Sequence, residues 1–78
     1  GQLSLRGVDR LLNAKDAINV FDNAHNTINR FVNSDFSRNS LIRLTIPPDG
    51  TQRIISIGYQ SLENINKYIE KGRYTLLK

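Results

Sequence analysis

The chain has 78 residues, no cysteine, one histidine and a formal net charge of +4. These features exclude disulfide staples, thiol catalysis and a histidine-cluster zinc site. A chain this short forms a single domain with a small core, burying only about 60 % of the surface exposed by its unfolded form.

The charge is uneven. Residues 41–78 hold Arg43, Arg53, Lys67, Lys71, Arg73 and Lys78 against Asp49, Glu63 and Glu70, a net +3. Residues 1–40 hold five basic and four acidic side chains, a net +1. This balance permits an anionic partner without demanding one. The chain contains no methionine. It reads as the soluble portion of a longer protein, with residues 1–78 as one domain and Gly1 as a remnant of tag removal. No apolar run approaches the ~20 residues of a membrane span, and no signal-peptide pattern is present.

The first element expected is a helix over residues 8–33, VDRLLNAKDAINVFDNAHNTINRFVN. Leu11, Ala14, Ile18, Phe21, His25, Ile28 and Val32 recur at steps of three and four, which places them on one helical stripe. Leu12, Ala17, Ala24 and Phe31 widen it, as suits a helix lying on a sheet. About 26 residues give roughly 39 Å of helix. The other face carries Asn13, Asp16, Asn19, Asp22, Asn23, Asn26 and Asn29, which are weak helix formers. Residues 34–40, SDFSRNS, read as a loop with Phe36 tucked under the helix.

Residues 41–58, LIRLTIPPDGTQRIISIG, read as strand, turn, strand. Ile42, Leu44 and Ile46 alternate with Arg43 and Thr45, and Pro48-Asp49-Gly50 fits a turn. Gly58-Tyr59 is expected to break or bend the second strand. Two readings compete over the following residues. SLENINKYIEKG fits a helix with Ser61 as N-cap, Leu62, Ile65 and Ile69 on one face, and Gly72 as its stop. NINKYIEKGRYTLLK fits a hairpin that returns through Tyr74, Leu76 and Leu77. Local signals lean to the helix. Tyr-Thr-Leu-Leu reads as a strand either way.

Catalytic patterns are missing. There is no phosphate-binding glycine motif and no H-E-x-x-H. His25 falls on the apolar stripe and reads as a satisfied core histidine. The pairs Asp9 with Asp16 and Asp16 with Asp22 lie about two helical turns apart and read as solvating charges. The remaining functional pattern is a group of aromatic and basic residues in the second half. Arg43, Arg53, Tyr59, Lys67, Tyr68, Arg73 and Tyr74 are the candidate contact residues, of the kinds that bind single-stranded nucleic acid.

The order of elements carries a resemblance. An apolar-striped helix is followed by a short polar loop, then Ile42-Arg43-Leu44-Thr45-Ile46-Pro47, a turn and Ile54-Ile55-Ser56-Ile57-Gly58. The ending GRYTLL, residues 72–77, resembles a closing strand of small surface β modules. Together these resemble the soluble part of archaeal type IV pilin-like proteins made with a class III signal peptide. The resemblance implies an α+β fold, with one long N-terminal amphipathic helix over residues 8–33 packed on a small three- to four-stranded antiparallel sheet in residues 41–78. It tips the C-terminal ambiguity toward a second hairpin.

The implied function is a non-enzymatic structural role in a cell-surface or filament-subunit ectodomain, without a cofactor or metal. The implied partners are other subunits, met through the N-terminal helix, and a membrane, reached through an upstream segment. The isolated piece is expected to be monomeric. The alternative expectation is a small basic nucleic-acid-binding module that uses the β-rich second half.

Overall fold

The computed structural model describes residues 16–34 and 37–77. Its elements run β1 Ile18–Asp22, β2 Thr27–Ser34, β3 Ser37–Ile46, β4 Ser56–Ser61, a helix α1 Leu62–Glu70, and β5 Tyr74–Leu76. The strands form one five-stranded sheet in the order β4-β3-β2-β1-β5, and every neighbouring pair is antiparallel. β1 to β4 form a meander. α1 then carries the chain from one edge of the sheet to the other, where β5 joins β1.

This architecture overturns the expectation of one long N-terminal helix on a three- to four-stranded sheet. Residues 18–34 are two strands joined by a turn. The part of the expected helix that precedes residue 16 lies outside the described residues. The reason is local. Ile18, Val20, Phe21, Thr27, Ile28, Phe31 and Val32 are β-branched or aromatic, and favour strands. Between them, residues 23–26 form a turn whose last residue, Asn26, adopts φ 56°. Asparagine tolerates that left-handed conformation better than most residues. The buried Asp22 carboxylate accepts from the backbone N–H of Ala24 at 3.0 Å and of His25 at 3.3 Å, which fixes the turn.

The predicted strand pair of residues 41–58 forms, with differences. β3 begins at Ser37, inside the predicted loop. Gly50 takes φ 84°, and its N–H donates to Pro47 O at 3.1 Å. β4 runs through Gly58-Tyr59 without a break, with Gly58 paired to Arg43. The second hairpin is also overturned, and the β-rich part contains a helix. α1 is capped by Ser61, whose Oγ accepts from Asn64 N–H at 3.1 Å. Gly72, at φ 81°, terminates it and donates to Ile69 O at 3.1 Å. Nine residues do not hold a helix in water alone, so tertiary contacts and the cap carry it. Ser61→Ala is expected to lower stability by about 1 kcal/mol in denaturant unfolding. An unchanged midpoint would show that the cap contributes nothing.

Strand alternation sorts side chains to two faces. Val20, Phe31 and Tyr74 meet Ile65 of α1 on one face, flanked by Ile18, Leu41, Tyr68 and Ile69. Val32, Ile42, Leu44 and Ile46 cluster on the other, with Ala17, Ile28 and Ile54 packed against them. Phe31, Leu44, Ile65 and Val20 are fully buried, worth roughly 1.5–3 kcal/mol each before chain entropy is counted.

Candidate functional site

α1 covers only part of its face of the sheet. Strand register puts a row of polar residues on the remainder. Asp22 pairs with Thr27 and with Tyr74, Asn29 with Thr45, Thr45 with Ser56, and Arg43 with both Phe31 and Gly58. Asp22, Thr27, Asn29, Arg43, Thr45, Ser56 and Tyr74, with His25, Ile55 and Arg73, line a cleft of about 290 Å³.

Asp22 is the most heavily bonded residue in the cleft. It is 3 % exposed. Besides the two turn N–H groups, its carboxylate meets His25 Nδ1 at 2.9 Å and Arg73 Nε at 3.5 Å. Burial pushes its pKa up, but the His25 ring, the Ala24 N–H, the nearby Arg73 guanidinium and the His25 N–H together outweigh burial and hold it below its ordinary value. Arg73 Nη2 also lies 3.2 Å from His25 Nδ1. A guanidinium only donates and a carboxylate only accepts, so Nδ1 serves one of them. The shorter contact to the buried carboxylate assigns the proton to Nδ1, which leaves Nε2 free of that network.

A second network crosses the cleft floor. Thr45 Oγ1 donates to Asn29 Oδ1 at 2.7 Å. Asn29 Nδ2 donates to Tyr74 Oη at 3.3 Å, and Tyr74 Oη donates to Gln60 Oε1 at 3.2 Å. Asn29 is therefore buried and satisfied, as a buried amide must be. Arg73 lies over the Tyr68 ring at 4.7 Å, a cation–π contact. Tyr68 in turn meets Tyr74 edge-on at 5.1 Å.

The seven candidate contact residues divide. Arg43, Arg73 and Tyr74 line the cleft, and Tyr68 supports Arg73. Tyr59 shares the opposite face with Ile42 by register and is exposed. Lys67 pairs with Glu63 at 3.6 Å along α1. Arg53 sits in the exposed connection before β4. Tyr74 is buried, so the three tyrosines offer no common stacking surface. The sequence reading missed Asp22, His25 and Asn29. His25 belongs to an exposed turn rather than a core stripe, and Asp22 is buried rather than solvating. Alternation continued from Ile18 and Val20 places Asp22 on the inward face, and that signal was available in the sequence.

Among the described residues, no group of three or more His, Cys, Asp or Glu is arranged to hold a metal ion. None of their helices is long and apolar enough to cross a membrane. No protein-family model, curated protein or solved structure matches the chain.

Proposed function

We propose that this chain is a non-enzymatic structural module of a cell-surface or filament assembly, of the type IV pilin-like kind its sequence resembles. The observation that carries the reading is the state of the two edges of the sheet among the described residues. β4, SIGYQS, and β5, YTL, contain no charged residue. Soluble proteins usually blunt such edges with charges, prolines, bulges or very short strands, because an open edge templates pairing with another chain; β5 has only three residues, so the six-residue β4 is the less protected edge. Both edges here also expose apolar side chains: Ile57 and Tyr59 on β4, and Leu76 on β5.

The two edges run in the same direction, since each is separated from the other by an even number of antiparallel steps. Contact between β4 of one copy and β5 of the next joins different surfaces. Such a head-to-tail contact continues from copy to copy instead of closing as a dimer does. The strand pair β3 and β4, which the resemblance anticipated, supports the same reading. Membrane attachment through an upstream segment belongs to this proposal too. Assembly through the sheet edges replaces assembly through a long helix.

Sedimentation velocity over a concentration series tests it. Where the resemblance implied a monomeric piece, edge pairing predicts that the chain shifts from monomer to higher species as concentration rises. Ile57→Lys and Leu76→Lys are each expected to hold it monomeric while leaving the melting temperature nearly unchanged, as surface substitutions do. A wild-type chain that stays monomeric throughout the series would remove edge pairing as the mode of assembly.

A further inference from the structure

We propose that the cleft between β2, β3 and β5 binds a small phosphate-bearing ligand, with Arg43 as its principal anchor. The inference is independent of the assembly role. It starts from an uncompensated charge. Arg43 is half-buried in the cleft wall. No carboxylate of the described residues lies within ion-pair distance of it. Its partner is a neutral hydroxyl, Ser56 Oγ, which accepts from Nη2 at 3.1 Å. Its Nε is covered and has no acceptor. A partly desolvated cation without a counter-charge is unfavourable, and an anion beside it recovers that cost.

The Asp22 carboxylate in the same cleft does not fill this role. Its oxygens are directed to the turn N–H groups, to His25 and to Arg73. Among the described residues, the cleft therefore presents a guanidinium with no anion, a second guanidinium from Arg73 that shares one carboxylate, and the His25 ring. Hydroxyls of Thr27, Thr45 and Ser56 stand around them. The guanidiniums are the donors that suit an acceptor-only dianion, since the His25 Nδ1 proton is held by Asp22 and the Thr45 hydroxyl hydrogen by Asn29, and guanidinium forks match phosphate oxygens two at a time. The volume, about 290 Å³, is at the low end for ligand pockets, which restricts the ligand to a small molecule.

Gly58 contributes to the site. A Cβ there would stand 2.9 Å from Arg43 Nη2 and 3.2 Å from its Cζ. Glycine lets the guanidinium lie flat on β4. Alanine would displace the flexible end of the arginine without touching the backbone around it.

The test titrates the chain with methyl phosphate at neutral pH and low salt, followed by amide chemical shifts, with chloride and acetate as reference anions. Methyl phosphate is expected to bind more tightly than either and to shift residues of β2, β3 and the 23–26 turn. Arg43→Gln is expected to weaken it by about tenfold or more, the scale of a lost charge-assisted hydrogen bond. Gly58→Ala is expected to weaken it with an unchanged melting temperature. Arg53→Gln, in the exposed connection, is expected to leave it unchanged. If Arg43→Gln does not fold, Arg43→Lys keeps the charge and loses the fork, and weaker binding by that variant supports the same assignment. Equal binding of chloride, or equal losses in the Arg43 and Arg53 variants, would overturn the site in favour of diffuse surface charge. Much tighter, steeply salt-dependent binding of an oligonucleotide would overturn the small ligand in favour of a nucleic-acid backbone.

Discussion

Asp22→Ala is expected to lower stability by roughly 2–4 kcal/mol, read from the midpoint of denaturant unfolding. The substitution removes the acceptor of two turn N–H groups, the anchor of the His25 ring and the anion facing Arg73. The lower part of the usual range for a buried pair applies because Arg73 remains partly accessible to water. Asp22→Asn keeps an oxygen for the turn but loses the charge and replaces the oxygen that meets His25 Nδ1 with a donor NH2, so its loss is expected to be smaller than that of alanine without vanishing. The acid dependence has a definite sign. The folded carboxyl titrates below its ordinary value of 3.8. Its ionised form therefore stabilises the fold fully above that value, and the contribution fades as pH falls through it toward the folded pKa. The stability gap between wild type and Asp22→Asn is expected to be constant near neutrality and to shrink in this acid range. A gap independent of pH down to complete acid unfolding would show that the charge of Asp22 contributes nothing to the fold.

Phe31→Ala is expected to cost about 3–5 kcal/mol, the range for emptying a buried phenylalanine site. Phe31 is 0 % exposed. It lies under α1 among Val20, Ile65 and Tyr74, and its ring meets that of Tyr74 at 6.0 Å. A domain of this length has on the order of 4–12 kcal/mol of stability to lose, so the variant stands close to unfolding. Phe21→Ala is the informative companion, since Phe21 is only half-buried on the other face. A helix over residues 8–33 would centre Phe21 on its apolar stripe and put Phe31 at the margin. The sheet reverses that order. A thermal melt in which Phe21→Ala is the more damaging change would contradict the register of β1 and β2.

The strand pair of residues 41–58 was legible because two local signals agree there. Alternation from Leu41 to Ile46 has a period of two, and Pro48-Asp49-Gly50 demands a turn. Residues 61–72 were legible as well, since a serine cap, helical spacing of Leu62, Ile65 and Ile69, and a terminal glycine all favour α1. The resemblance to a pilin-like domain pulled that segment toward a hairpin, against its own local chemistry. Residues 18–33 misled for another reason. Ile18, Phe21, Ile28 and Val32 satisfy a helical period, yet the same segment alternates as two strands once the turn at Asn23 to Asn26 is admitted. Both faces of the sheet are buried in its middle, so apolar residues crowd each strand and blur the period of two. The cleft was half legible. Arg43, Arg73 and Tyr74 stood out by composition, but their link to Asp22 depends on β5 lying beside β1, and no local pattern announces a pairing between distant segments.

That pairing also sets the order in which the molecule can be completed. β1 through β4 form contacts between neighbours in sequence, which close quickly. Val20 meets Leu76 across nearly the whole described chain, and the entropy of closing so long a loop is met only once α1 has docked. During synthesis the meander is therefore available first, with the outer edge of β1 open and Asp22 lacking its arginine. Arg73 and Tyr74 are neighbours in the chain, so they reach the sheet together. Completing the sheet and pairing its buried carboxylate with Arg73 are therefore coupled, and the cleft requires both.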